Sequence, residues 1–154
     1  MKQKYIDLYM DWAARTAELS HARRLQVGAV IVKDDSVISY GYNGMPAGWD
    51  NNCEMHPKIA DPVTFEIVEK TDILVTRPEV LHAESNAIAK LAKSHNSGFD
   101  ADLFVTHSPC IECAKLIFQS GISRVYFGIQ YRDDAGIQFL EKSGIAVQQI
   151  KKGP

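Results

Sequence analysis

The sequence predicts an α/β domain: a five-stranded mixed sheet with helices on both faces. Three observations carry this. Two strand-like runs stand side by side near the start, joined by a turn. From residue 82 onward, helical and strand patterns alternate to the end of the chain. The length, 154 residues, suits one hydrophobic core and is short for two. The expected organisation is therefore a single domain, 1–154, with a long loop insertion at about 44–81.

The elements follow in order. Tyr5, Leu8, Tyr9, Trp12 and Ala13 recur at helical spacing, so roughly the first twenty residues read as an amphipathic helix laid on the sheet. "VGAVIV" (27–32) and "VISYGYN" (37–43) are apolar, β-branched runs separated by "KDDS", which suits an antiparallel hairpin. "GMPAGWDNNCEMHPKIADP" then opens a stretch rich in Gly, Pro, Asn and Asp; a connection of that length is usually functional or locally structured. Helix 83–94, strand "DLFVT" (102–106), helix 110–120, strand "RVYFGI" (124–129), helix 133–143 and strand "IAVQQ" (145–149) complete the chain. Strands joined through helices run parallel, so the last strand should lie parallel to the fourth. "KKGP" reads as a frayed tail.

Composition narrows the function. Nineteen acidic and seventeen basic residues give a net charge of −2, so no overall positive field gathers a phosphate backbone, and polymeric nucleic acid is disfavoured as a partner. Neither a signal-peptide-length apolar run nor about 18 consecutive apolar residues occurs, which predicts a cytoplasmic protein with no membrane partner. Three cysteines are an odd number, and Cys110 and Cys113 lie three apart, a pattern of metal or redox chemistry rather than of a disulfide framework.

The chemistry concentrates where two helices begin. "LHAESNAIAK" offers Ala83, Ala87, Ile88 and Leu91 to a core, yet opens with His82 and Glu84, which are costly to bury. In the next helix Cys110, Cys113, Ala114, Ile117 and Phe118 share a face, and at a helix start the dipole favours thiolate over thiol. Two inward thiolates need a cation, and His82 completes a Cys-Cys-His set suited to tetrahedral zinc, with the fourth position left for water. Zinc lowers the pKa of such a water to about 7. Glu84 lies close enough to act as proton shuttle without ligating the metal. C-x-x-C alone is a weak signal. "HAE" at 82–84 followed by "PCIEC" at 109–113 is the H-x-E and P-C-x-x-C pattern of zinc nucleobase deaminases.

Competing readings exist for each group. A closed structural zinc site could recruit His107 as a fourth ligand, which would leave Glu84 without a role beside a saturated metal. Cys53 and His56 have the spacing of a metal pair, but two ligands do not make a site, and packed or solvated side chains are expected. Arg23 and Arg24 either meet a phosphate or form solvated surface. Trp49 is expected to pack within its loop.

"QVGAVIV", "GYNGMPAG", "HAESNAI" and "SPCIECAKLI", in that order over residues 5–150 or so, resemble the deoxycytidylate (dCMP) deaminase family. The resemblance implies the cytidine-deaminase-like three-layer α/β/α sandwich and hydrolysis of dCMP to dUMP and ammonia, which feeds thymidylate synthesis. It further implies a homohexamer, activation by dCTP with Mg2+, and inhibition by dTTP. Carried over by position, His82, Cys110 and Cys113 match the Zn2+ ligands and Glu84 the proton shuttle. Asn43 matches a sugar-binding asparagine, the Ser108 carbonyl faces the leaving amine, the Ala29 and Cys110 backbones line the base pocket, and Tyr131 sits near the phosphate. Asn43 and Gly44, with Arg24, fall in the stretch tied to the regulatory nucleotide. Two other functions share the motif: deamination of bases in tRNA or single-stranded DNA, which would want a basic groove, and a non-catalytic, zinc-stabilised nucleotide-sensing module.

Overall fold

The computed structural model describes residues 1–151; the last three residues of the "KKGP" tail lie outside the described residues. Helix α1 (Gln3–Ala17) leads to strands β1 (Gly28–Lys33) and β2 (Ser36–Tyr42). The two strands pair antiparallel through a two-residue turn, with Lys33 opposite Ser36. Asp34 and Asp35 both adopt positive φ, 50° and 58°, the left-handed geometry that a tight hairpin needs to match strand twist.

Beyond residue 81 come α2 (Ala83–Ala92), β7 (Asp102–His107), α3 (Ile111–Gln119), β8 (Arg124–Ile129), α4 (Ala135–Lys142) and β9 (Ala146–Gln149). The main sheet has the order β2-β1-β7-β8-β9. β7 runs antiparallel to β1 and parallel to β8, and β9 runs parallel to β8, because α3 and α4 carry the chain back between them. Bidentate pairing of Arg124 with the buried Asp102 carboxylate, at 2.6 and 3.2 Å, joins β7 to β8 at the start of both strands.

Alternation along the strands divides the core into two layers. Val30, Val32, Phe104 and Tyr126 face α1 and pack on Ile6, Tyr9, Met10 and Ala13. Ala29, Ile31, Leu103, Val105, Val125 and Phe127 face the other helices and pack on Ala83, Ala87, Ala114, Ile117 and Leu140. The result is the expected three-layer sandwich. One feature of α1 departs from the sequence reading: Tyr9 and Ala13 are buried, but Tyr5, Leu8 and Trp12 are exposed. Helical spacing fits two adjacent stripes, and the sheet covers only the one containing Ile6 and Met10.

The long insertion is an arm with its own structure. β3 (Glu54–Met55) pairs with β6 (Val75–Thr76), and the hairpin of β4 (Lys58–Ala60) and β5 (Ile67–Glu69) lies inside that pairing. Trp49 is exposed rather than packed. No helix among the described residues is long and apolar enough to cross a membrane.

Candidate active site

Strand register collects the site. Gly28 lies opposite Tyr42, Ala29 opposite Val105, and His107 opposite Ile129. The start of β1 and the ends of β2, β7 and β8 therefore meet along one edge of the sheet. α2 and α3 both begin there. Gly41 lets α2 sit directly on β2, and Asn86 Nδ2 donates to the Tyr42 carbonyl at 2.8 Å while Ser39 Oγ donates to the Ala87 carbonyl at 2.7 Å.

His82 is the N-cap of α2 and Cys110 the N-cap of α3, both with extended backbone. Cys110 thus stands just ahead of the first turn rather than within it. Neither makes a side-chain capping hydrogen bond; their side chains turn toward each other instead. His82 Nδ1 lies 3.5 Å from Cys110 Sγ and 3.4 Å from Cys113 Sγ, and the three atoms fall within 4.8 Å of one another. Ligands held tetrahedrally at zinc bond lengths are separated by roughly 3.5–3.8 Å, so this donor set fits Zn2+ as it stands. The protonation pattern agrees. Hydrogen bonds from Cys113 and His82 hold the Cys110 thiol down at about 3, the same bond to Cys110 together with burial pushes Cys113 up, and the bond to Cys110 raises His82. The trio holds protons in common that a divalent cation would displace.

Glu84, in the first turn of α2, is 4% exposed. Burial pushes its carboxyl up to about 7, against the opposing pull of its own backbone N–H and of His82. The neighbouring Cys113 thiol pulls the same way, lowering the carboxyl.

These groups floor a cleft of about 550 Å³ whose walls include Val27, Asn43, Val80, His107, Ile129 and Tyr131. The structure brings most of the sequence-predicted residues to it. Asn43 lines the cleft while bracing the β1 approach: its Oδ1 accepts from the Val27 N–H and its Nδ2 donates to the Leu25 carbonyl, both at 2.8 Å. Ser108 is buried in the cleft wall, and its Oγ accepts the Tyr131 N–H at 2.7 Å, fixing the loop after β8. Arg24 also lines this cleft, so it shares the space of Glu84. Ala29 is fully buried among the α2-facing core residues, and from that end of β1 it is Val27 that reaches the cleft. Gly44 exchanges both backbone hydrogen bonds with Leu81, at 3.0 and 2.8 Å, so its N–H is committed to the chain itself.

The remaining candidates resolve differently. His107 lines the cleft but stays outside the metal cluster; its Nδ1 lies 2.9 Å from Thr106 Oγ1. Cys53 is buried with Ala22 and Val80, His56 Nδ1 donates to the Ile73 carbonyl at 2.7 Å, and Glu54 turns to Arg23 and Arg24. The three are thus engaged separately. Leu25, Val27, Ile129 and Arg132 line the cleft without having been singled out from the sequence. The rule that α/β sheets bind ligands beyond the carboxyl ends of their strands could have pointed to Ile129 and Arg132.

Fold and donor set together define a zinc-dependent deaminase. Comparison with known proteins specifies it further: residues 3–129 match the family model described as the cytidine and deoxycytidylate deaminase zinc-binding region, and the chain belongs to that family. The dCMP deaminase of cyanophage S-TIM5, solved in complex with dCMP and dUMP, superposes with a TM-score of 0.83 at 38% identity, covering 97% of this chain and 99% of that one. The deoxycytidylate deaminase of Mycobacterium phage D29 is 36% identical over 79% of this chain and 91% of its own length. ComE operon protein 2 of Bacillus subtilis is 37% identical over 83% of this chain, which spans 61% of that protein's length.

Proposed function

We propose that this chain hydrolyses dCMP to dUMP and ammonia. The observation that carries the reading is the buried Glu84 carboxyl set against the His82–Cys110–Cys113 cluster on the floor of a nucleotide-sized cleft. Similarity over nearly the whole chain to a phage enzyme holding dCMP and dUMP supports the choice of substrate.

His82 Nδ1, Cys110 Sγ and Cys113 Sγ would hold the zinc. When bound, it supplies Lewis-acid activation of a water at neutral pH. Glu84 takes the first proton of the attacking water and delivers it to N3 of the pyrimidine. It then moves the second proton to the amine at C4, which departs as ammonia while the water oxygen remains as O4. A carboxyl raised by burial is suited to both accepting and returning a proton. Asn43 orients the sugar, the Ser108 carbonyl accepts from the departing amine, and Tyr131 stands at the phosphate end.

The same reading treats residues 1–154 as one domain and supplies dUMP for thymidylate synthesis in the cytoplasm. It assigns activation by dCTP with Mg2+ and inhibition by dTTP to the neighbourhood of Asn43, Gly44 and Arg24. Association into a homohexamer is supported by the exposed apolar stripe of Tyr5, Leu8 and Trp12 and by the exposed Val63, Phe65 and Ile67 of the arm.

The test is ammonia release by the zinc-loaded protein from dCMP, deoxycytidine, CMP and a cytosine-containing oligonucleotide, with and without dCTP and dTTP. Preference for dCMP is expected. Preference for the oligonucleotide, or tight nucleotide binding with no ammonia from any substrate, overturns the reading.

A further inference from the structure

The metal-bearing ends of α2 and α3 are each set against a glycine from a neighbouring element that supplies no ligand. On the α2 side this is Gly41 of β2. On the α3 side it is Gly136, buried in the first turn of α4. A Cβ at Gly136 would overlap the Pro109 carbonyl oxygen and lie 2.9 Å from both the carbonyl carbon and the carbonyl oxygen of Cys110. All three are backbone atoms, so α4 rests directly on the chain that carries Cys110.

The segment that leads into α4 holds the same stretch at two more points. Ser108 N–H donates to the Ile129 carbonyl at 2.9 Å, and Ser108 Oγ accepts the Tyr131 N–H at 2.7 Å. Residues 108, 109 and 110 are thus gripped in turn by 129, 131 and 136. Asp133 Oδ1 accepts the Ala135 N–H at 2.8 Å and fixes where α4 starts. Leu140 shares the core with Ala114 and Ile117, and Phe139 meets Phe118 edge-on with ring centres 6.1 Å apart, so α4 is locked against α3 along its length.

This grip bears on the metal. Cys110 stands ahead of the first turn of α3, with φ −70° and ψ 168°, and its side chain turns to His82. Its tie to α3 is its carbonyl, which accepts the Ala114 N–H at 2.9 Å. A residue at a helix cap is otherwise free to swing. The ring of the buried Pro109 removes part of that freedom, and backbone contact with α4 blocks movement of both carbonyls. We infer that the segment from Ile129 to Gly136 is a brace for Cys110, with Gly136 and Ser108 as positioning residues that keep its sulfur at zinc-binding distance from His82. The inference rests on the zinc reading of the cluster and is independent of which base is deaminated. α4, which carries none of the three donors, then has a role at the metal.

Gly136→Ala, Ser108→Ala and a control, Leu140→Val, are compared with wild type for Zn2+ affinity by chelator competition, for the sulfur-to-metal charge-transfer band of the Co2+-loaded protein, and for thermal melting. Helix propensity alone would make Gly136→Ala stabilising. The brace predicts instead that Gly136→Ala weakens Zn2+ binding by roughly ten- to a hundredfold, as loss of support behind a metal ligand does, and alters the charge-transfer band. Ser108→Ala should weaken it by roughly two- to tenfold, the worth of one hydrogen bond. Leu140→Val should lower the melting temperature and leave Zn2+ affinity and the Co2+ spectrum as in wild type, which separates the brace from loosened packing. A folded Gly136→Ala protein within about twofold of wild type in Zn2+ affinity, or a Leu140→Val protein that loses as much, overturns the brace. Should Gly136→Ala fail to fold, Ser108→Ala decides, and an unchanged affinity there overturns it. A wild-type protein that binds neither Zn2+ nor Co2+ sinks the metal reading itself, and the brace with it.

Discussion

Gly41→Ala tests whether the seat of α2 on β2 sets the geometry of catalysis. A Cβ at Gly41 would lie 2.3 Å from the Ala83 carbonyl oxygen and 2.6 Å from the Ala87 nitrogen, both backbone atoms, where ordinary contact starts at 3.4 Å. Neither atom can turn aside as a side chain would. α2 must then retreat by about 1 Å, against the Ser39 and Asn86 hydrogen bonds that hold it to β2. Overpacking of this kind costs about 1–3 kcal/mol. At about 3 °C per kcal/mol for a domain of this size, the melting temperature should fall by about 3–9 °C. Ala83 lies between His82 and Glu84, so the metal ligand and the proton carrier move with it. A misplacement of about 1 Å can cost on the order of a hundredfold in rate. Thermal melting, zinc content and ammonia release from dCMP read the three effects. Gly44→Ala is the control for packing, since a Cβ there meets nothing within 4 Å, and its melting temperature and zinc content should stay close to wild type. A Gly41→Ala protein with wild-type melting temperature and rate would refute the claim that this contact sets the site.

Glu84→Gln should keep fold and zinc content and lose roughly 10²–10⁴ in kcat, the usual worth of a positioned acid–base group; turnover within tenfold of wild type would remove Glu84 from the proton path. Glu54→Gln should lower the melting temperature at pH 7. Because the folded pKa of Glu54 is depressed, its contribution is present above the ordinary carboxylate value of about 4.3 and is lost as pH falls through the lower folded value, so the deficit should shrink in acid; a deficit independent of pH would contradict this. Asp102→Asn should destabilise by about 1–2 kcal/mol in a urea titration, a figure held down because Arg124 is half exposed, and an unchanged midpoint would show the pair to be idle.

Legibility in the sequence followed the range of the interactions. The hairpin of β1 and β2 was readable because its turn is local: two Asp residues can take the positive φ that a two-residue loop demands. His82, Glu84, Cys110 and Cys113 were readable because each pair sits within one helical turn, where spacing fixes direction. The arm's pairing was not. β3 and β6 are two residues each and stand twenty residues apart, too short to carry a period. The α1 stripe was misassigned for the opposite reason: its period is clear, but which of two neighbouring stripes is covered depends on the sheet. Arg132 and Ile129 escaped notice because they reach the cleft only through the register of β7 with β8, a long-range fact.

The location of the site follows from one change of strand direction. β7 has an antiparallel neighbour in β1 and a parallel one in β8, so its carboxyl end meets the beginning of one strand and the end of the other. α3 begins at that end, and so does α2, which runs away from it before β7 returns, so two helix N-termini come together. Positive helix ends favour the thiolates of Cys110 and Cys113. They would repel a cation presented alone, so the sulfur charges must come with it, as the metal displaces the protons the cluster shares. The same two ends also lie beneath a cleft whose other charges are arginines. A neutral or cationic ligand would find little there to replace its hydration, whereas on the proposed reading a nucleotide monophosphate would bring a polar base to the metal end and a dianion toward Arg24 and Arg132. On the proposed reading, the polarity of the cleft would run in the same sense as that of dCMP and would set C4, rather than the sugar or phosphate, against Glu84.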